Sequence, residues 1–100
     1  MYGTIARMRA KPGMADQLRA MRDEQVRSGL TSLQGMVMYQ SSNDPDEYWL
    51  VVAFESREAY EANASSPEQH ERFTRMRALL DADPEWHDGD IVDAFGSFGA

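Results

Sequence analysis

The run Glu47 to Glu55, EYWLVVAFE, is apolar at both alternating sets of its positions. Successive side chains of a strand point to opposite faces, so a strand of this composition is dry on both sides. The preceding run, Met36-Val37-Met38-Tyr39-Gln40, has the same character and lies across a turn cluster, Ser41-Ser42-Asn43-Asp44-Pro45-Asp46. The two runs read as an antiparallel hairpin. One face is expected to carry Val37, Tyr48, Leu50, Val52 and Phe54, and the other Met36, Met38, Trp49, Val51 and Ala53. A sheet dry on both faces needs two covers.

The rest of the chain supplies one of them. Tyr2 to Ala10 alternates with period two and reads as a strand, broken by Lys11-Pro12-Gly13. Met14, Leu18, Met21 and then Val26 or Leu30 recur at helical spacing, which predicts a helix from about Gly13 to Ser28, closed by Gly29. Ser56 is placed to cap a short helix through Tyr60 and Asn63. Ser66-Pro67-Glu68-Gln69 starts a second helical piece, whose one face carries His70, Phe73, Met76 or Arg77, and Leu80, and which stops at Asp83-Pro84. A last strand is expected over Asp90 to Phe95. The order β-α-β-β-α-β is that of an α+β, ferredoxin-like fold with an antiparallel sheet. Its helices cover one face, so the other is expected to meet a second copy of the sheet in a homodimer. The alternative cover is the tail, with Phe95 and Phe98 folded over that face.

Composition narrows the partners. The chain has 100 residues, which predicts one domain, and a formal charge of −7. That charge repels phosphate backbones and anionic headgroups, so neither nucleic acid nor a membrane surface is expected as a partner. Cysteine is absent, which removes disulfides, thiolate nucleophiles and thiolate metal sites. The longest uncharged apolar run, Tyr48 to Phe54, is far below the roughly 20 residues that span a bilayer, and the opening lacks a signal-peptide pattern. The chain is therefore read as cytoplasmic.

The motifs themselves carry a resemblance. A first strand ending in Lys-Pro-Gly, a Gly-led second strand and an Asn-Asp-Pro hairpin lead to an apolar strand that runs into Phe54-Glu55-Ser56-Arg57-Glu58-Ala59-Tyr60. With the Ser-Pro-Glu-Gln-His-Glu-Arg-Phe helix start, the chain resembles the antibiotic biosynthesis monooxygenase family of dimeric α/β barrels over nearly its whole length. The resemblance implies dimerisation through the sheets. It also implies either oxygenation of phenolic or anthrone-type aromatics to quinones without metal or flavin, or haem degradation. Haem-degrading members resemble one another in an Asn, a Trp and a His, at positions that match Ala6, Asn63 and Phe73 here. That set is missing, so no cofactor is expected.

Cofactor-free oxygenation needs a dry pocket for a flat aromatic, a base to raise its electron density, and a donor for the developing oxyanion. His70 is the candidate base, because an imidazole titrates near neutrality and this one shares a helix face with Phe73. Asn63 is the second candidate catalytic group, as a hydrogen-bonding side chain on the short helix, or else it simply ends that helix. Tyr48 and Trp49 point to opposite strand faces, one toward the helix-side cavity and one toward the dimer interface. Tyr39, Tyr60 and Trp86 could add stacking surface or simply fill space. Phe73 is a further substrate-binding candidate on the His70 face, and Met38 belongs to a set of methionines that form either a yielding wall or ordinary core. Arg7, with Arg9, could bind a substrate carboxylate or phenolate, or pair with Glu47, Glu55 or Asp93. His70 and His87 are spaced for no metal site. The expected function is thus a cofactor-independent monooxygenase acting on a small aromatic. The alternatives are a non-catalytic binding or structural dimer, and a cofactor-free isomerase on the same scaffold.

Overall fold

The first strand sets the frame. In β1, Tyr2–Arg9, the even positions Thr4, Ala6 and Met8 are buried while Ile5, Arg7 and Arg9 are exposed, as period-two alternation requires. The computed structural model describes residues 1–27 and 32–96. The expected helix end at Ser28 and Gly29, the side chains of Val26 and Leu30, and Phe98 lie outside what is described. After β1 come α1 (Ala15–Arg27), β2 (Leu33–Gln40), β3 (Glu47–Phe54), α2 (Arg57–Ala64), α3 (Pro67–Arg77) and β4 (Glu85–Asp90). The strands form one antiparallel sheet in the order β2-β3-β1-β4, which makes the fold α+β and ferredoxin-like. Among the described residues no helix is long and apolar enough to cross a membrane.

Register decides which residues share a face. β1 and β3 pair Tyr2 with Phe54, Thr4 with Val52, Ala6 with Leu50 and Met8 with Tyr48, all turned toward the helices. The core gathers on that side from Ala6, Met8, Ala10, Leu18, Tyr48 and Leu80. Gly3 is required where β1 meets β3, because a Cβ there would stand 1.9 Å from the Val52 carbonyl oxygen. Gly13, with φ of 81°, turns the chain from β1 into α1.

The hairpin's faces differ from the expected assignment. The Ser41–Asp46 turn sets Gln40 opposite Tyr48, so Met38 faces Leu50 and Met36 faces Val52. Val37 therefore joins Val51, Trp49 and Tyr39 on the other face, because directly opposed residues share a side and one step in register reverses every side chain.

The last strand also falls elsewhere than expected, at Glu85–Asp90 instead of Asp90–Phe95. α3 ends at Arg77 with Ala78 as its C-cap, short of Asp83-Pro84, and Leu80 leaves the helix to bridge Ala10. That contact, with the Asp81 amide donating to the Arg9 carbonyl at 3.0 Å, delivers the chain to the far end of β1. β4 then runs back from Glu85 opposite Arg7 to Asp90 opposite Tyr2. The free edge is used up when the Ile91 amide reaches the Met1 carbonyl at 2.9 Å, so the apolar stretch that follows has no strand left to pair with. An edge strand tolerates acidic residues, which is why its composition concealed it.

Helices lie on one face only. On the other, Ile5, Val37 and Tyr39 are 44%, 42% and 52% exposed beside half-buried Trp49 and Val51. The described tail does not cover them, since Val92 and Phe95 are themselves almost wholly exposed.

Candidate functional site

Two serines place the helices that wall the site. The Ser56 hydroxyl accepts from the Ala59 amide at 3.1 Å and starts α2. Ser66 accepts from the Gln69 amide at 3.1 Å to start α3, and its hydroxyl donates to the Asn63 carbonyl at 2.8 Å. The end of α2 is thereby tied to the start of α3, with Pro67 pre-set for the first helical turn. This joint brings Asn63 and His70 to one cavity of about 350 Å³ between the helices and the sheet. Thr4, Leu50, Val52 and Phe54 form its floor, Tyr60, Phe73 and Met76 its helical wall, and Trp86 and Asp88 its β4 edge.

The walls are largely aromatic. Phe73 and Trp86 lie with ring centroids 6.2 Å apart, and Tyr60 packs on Phe54 at 5.6 Å and Tyr2 at 5.3 Å. The Tyr60 hydroxyl donates to the Asp88 carboxylate at 2.8 Å. Partial burial, reinforced by the hydrogen bond and charge of Asp88, pushes the Tyr60 phenol up to about 12. Tyr60 is therefore held as a neutral phenol with its proton engaged, suited to shaping the pocket and not to accepting a proton.

Thr4 is the unusual polar group. It is 5% exposed, and its hydroxyl has no hydrogen-bond partner among the described residues. It stands beside the Tyr60 phenol without meeting hydrogen-bond geometry to it. A buried hydroxyl left unpaired costs stability, and its nearest polar neighbour in the lining is the Tyr60 phenol. Above it the Asn63 side-chain oxygen accepts from the Arg72 guanidinium at 3.4 Å, and the Gln69 oxygen accepts from Arg72 Nε at 3.2 Å.

Of the residues expected at the site, the fold brings His70, Asn63, Tyr60 and Phe73 to this cavity. Met38 lines a narrower neighbouring space of about 50 Å³ that shares Leu50, Gln69, Phe73 and Met76 with the first. Tyr48 points to the helix face but is 1% exposed, packed into the core. Trp49 and Arg7 require correction as substrate-binding groups. Both sit at odd steps from the inward residues of their strands and so face the opposite side of the sheet. Arg7 is committed there to Glu47, at 2.9 Å from Nε and 2.6 Å from the terminal nitrogen, and it holds the Glu47 carboxyl below its ordinary range. Arg9 pairs with Asp44 and Asp81. His87 lies on that far face too, 3.1 Å from Glu85, so it does not converge with His70.

Thr4, Gln69, Arg72 and Asp88 did not figure among the expected site residues. Thr4 stood in plain view on the inward set of the first strand. Asp88 was concealed by the displaced last strand.

The site is a half-open cavity in a ferredoxin-like α+β fold, with four aromatic rings, the solvent-exposed His70 imidazole and the buried Thr4 side chain among its lining. Residues 1–75 match the model of the antibiotic biosynthesis monooxygenase family, and the chain belongs to that family. A Chloroflexus aurantiacus protein assigned to antibiotic biosynthesis monooxygenase is 33% identical over 95% of this chain and 96% of its own, with a TM-score of 0.79. A Bordetella bronchiseptica protein of the same description is 19% identical over 91% and 96%, with a TM-score of 0.75. SnoaB, a cofactor-independent oxygenase from Streptomyces nogalater, shares the fold with a TM-score of 0.80 at 10% identity, over 93% of this chain and 94% of its own. A comparison with curated protein sequences gives no match.

Proposed function

We propose that this protein is a cofactor-independent monooxygenase that converts a small phenolic or anthrone-type aromatic to a quinone in the helix-side cavity. The observation that carries the reading is a single cavity whose lining combines His70, the buried and unpartnered Thr4 side chain, and the rings of Phe54, Tyr60, Phe73 and Trp86. At about 350 Å³ the space is of the size that small-molecule sites use. Family membership supports an oxygenase chemistry, and the shared fold with SnoaB, a cofactor-independent oxygenase, is in keeping with it.

In this reading the substrate lies flat between Phe73 and Trp86 and the apolar floor. His70 accepts a proton from the ring carbon to be oxidised, and the Thr4 hydroxyl donates to the oxyanion that develops on the conjugated oxygen. The electron-rich anion reduces dioxygen and forms a carbon–oxygen bond to it. The peroxide then breaks its oxygen–oxygen bond, leaving one oxygen in the quinone and the other in water. Anthrone plus O2 thus gives anthraquinone plus water, with no external reductant. Tyr60, held neutral by Asp88, ties α2 to the β4 edge of the cavity.

The working unit is a homodimer formed through the open sheet face, where Ile5, Val37, Tyr39, Trp49 and Val51 present apolar surface. The function is tested by oxygen uptake of the chelator-treated protein with dithranol as the anthrone, beside His70→Ala. Uptake with quinone formation, reduced on the order of 10²-fold or more in the variant at unchanged melting temperature, is the expected result. Tight binding of the aromatic without uptake would instead make this a binding protein.

A further inference from the structure

The narrow cavity beside the main one has two arginines in its lining, Arg22 from α1 and Arg72 from α3. The chain carries a surplus of seven negative charges, and six of its arginines are matched to acids. Arg7 pairs with Glu47, Arg9 with Asp44 and Asp81, Arg19 with Asp16, Arg57 with Glu61, Arg75 with Glu24 and Arg77 with Asp83. Arg72 is the exception. Among the described residues its partners are the neutral side-chain oxygens of Gln69 and Asn63. Arg22 is nearly so, with Asp23 standing 3.8 Å away and its buried Nε without a hydrogen-bond partner.

Apart from these cations and Gln69 the lining is apolar, with Met8, Leu18, Met21, Met38 and Leu50 contributing. The space is about 50 Å³, above the roughly 10–15 Å³ that one water needs, and a carboxylate-sized group can enter it. It shares Leu50, Gln69, Phe73 and Met76 with the main cavity, so one elongated molecule can reach both. A guanidinium in a mostly apolar slot, held by amide oxygens alone, has its charge uncompensated, and an anion there gains charge-assisted hydrogen bonds.

We propose that Arg72 and Arg22 form the anion-holding end of the substrate site, and that the natural ligand is an aromatic acid whose carboxylate is separated from the reacting ring by an apolar spacer. This rests on the oxygenase reading only for its choice of aromatic. Asn63 is then a positioning residue that aims Arg72 and links the two ends of the site.

Fluorescence titration with 4-(2-anthryl)butanoate and its neutral isostere, 4-(2-anthryl)butanamide, tests the assignment. Wild type should bind the carboxylate at least about tenfold more tightly than the amide at neutral pH, with a preference that shrinks as salt is raised. Arg72→Gln and Arg22→Gln should each weaken the carboxylate more than the amide and so reduce the preference, and Arg72→Lys should retain part of it. Circular dichroism melting of each variant guards against misfolding. Equal binding of the two probes by wild type, binding of neither, or a preference that survives the double Gln variant overturns the proposal. The outcome is separable from the oxygenase question. A carboxylate preference without oxygen uptake would leave the anion site standing and remove the oxygenase, and uptake without preference would do the reverse.

Discussion

The Tyr60 hydroxyl donates to the Asp88 carboxylate at 2.8 Å and ties α2 to the edge strand β4 across the rim of the cavity. The phenol's ordinary value of 10.0 is raised to about 12 by burial and by Asp88. A group with a raised value in the fold contributes stability that is complete below its unfolded value and lost as pH rises through its folded one. Stability linked to Tyr60 should therefore be intact below about pH 10 and disappear between about pH 10 and 12. Spectrophotometric titration of the phenols should contain a late-ionising component that Tyr60→Phe removes. A wild-type titration without a late component would contradict this account of the rim.

Thr4 should show opposite effects on stability and on turnover. Thr4→Val keeps the shape of the side chain and removes a buried hydroxyl that has no partner, so thermal stability should hold or rise by on the order of 1 kcal/mol. Loss of the oxyanion donor should lower turnover of an anthrone on the order of 10²-fold. Steady-state oxygen uptake and calorimetry on the same preparation check both. A variant that is destabilised with full activity would show the hydroxyl to be a structural bond.

The open sheet face predicts an assembly. Sedimentation equilibrium should return twice the 11.3 kDa chain mass, and Val37→Arg should return the chain mass by placing a charge among Val51, Trp49 and Tyr39. Monomeric wild-type protein, or a dimer unaffected by Val37→Arg, would mean that this face is not the contact.

Most of the fold was legible because its signals were local. Alternation in Tyr2–Arg9, the caps Ser56 and Ser66, and the Lys11-Pro12-Gly13 break each act within a few residues, and each falls where expected. What misled was non-local. The Val37 face depends on how many residues the Ser41–Asp46 turn consumes, and β4 depends on where Leu80 meets Ala10 and on how much edge β1 leaves free. Helix phase joined His70 to Phe73 in the sequence, and the fold brings both to one cavity with Asn63 and Tyr60. The faces of Trp49 and Arg7 were not legible, because aromatic and cationic character says nothing about which face of a two-sided strand is the cavity. Thr4 and Arg72 gain meaning from partners they lack, which no single chain reading reveals.

The most direct test of the central claim is a turnover of dithranol by chelator-treated protein under ¹⁸O2, with the quinone analysed by mass spectrometry. The account predicts one ¹⁸O atom in the quinone, formed far faster than without protein and slowed on the order of 10²-fold or more by His70→Ala. Quinone formed no faster than in buffer, or at a rate indifferent to His70→Ala, would contradict the account.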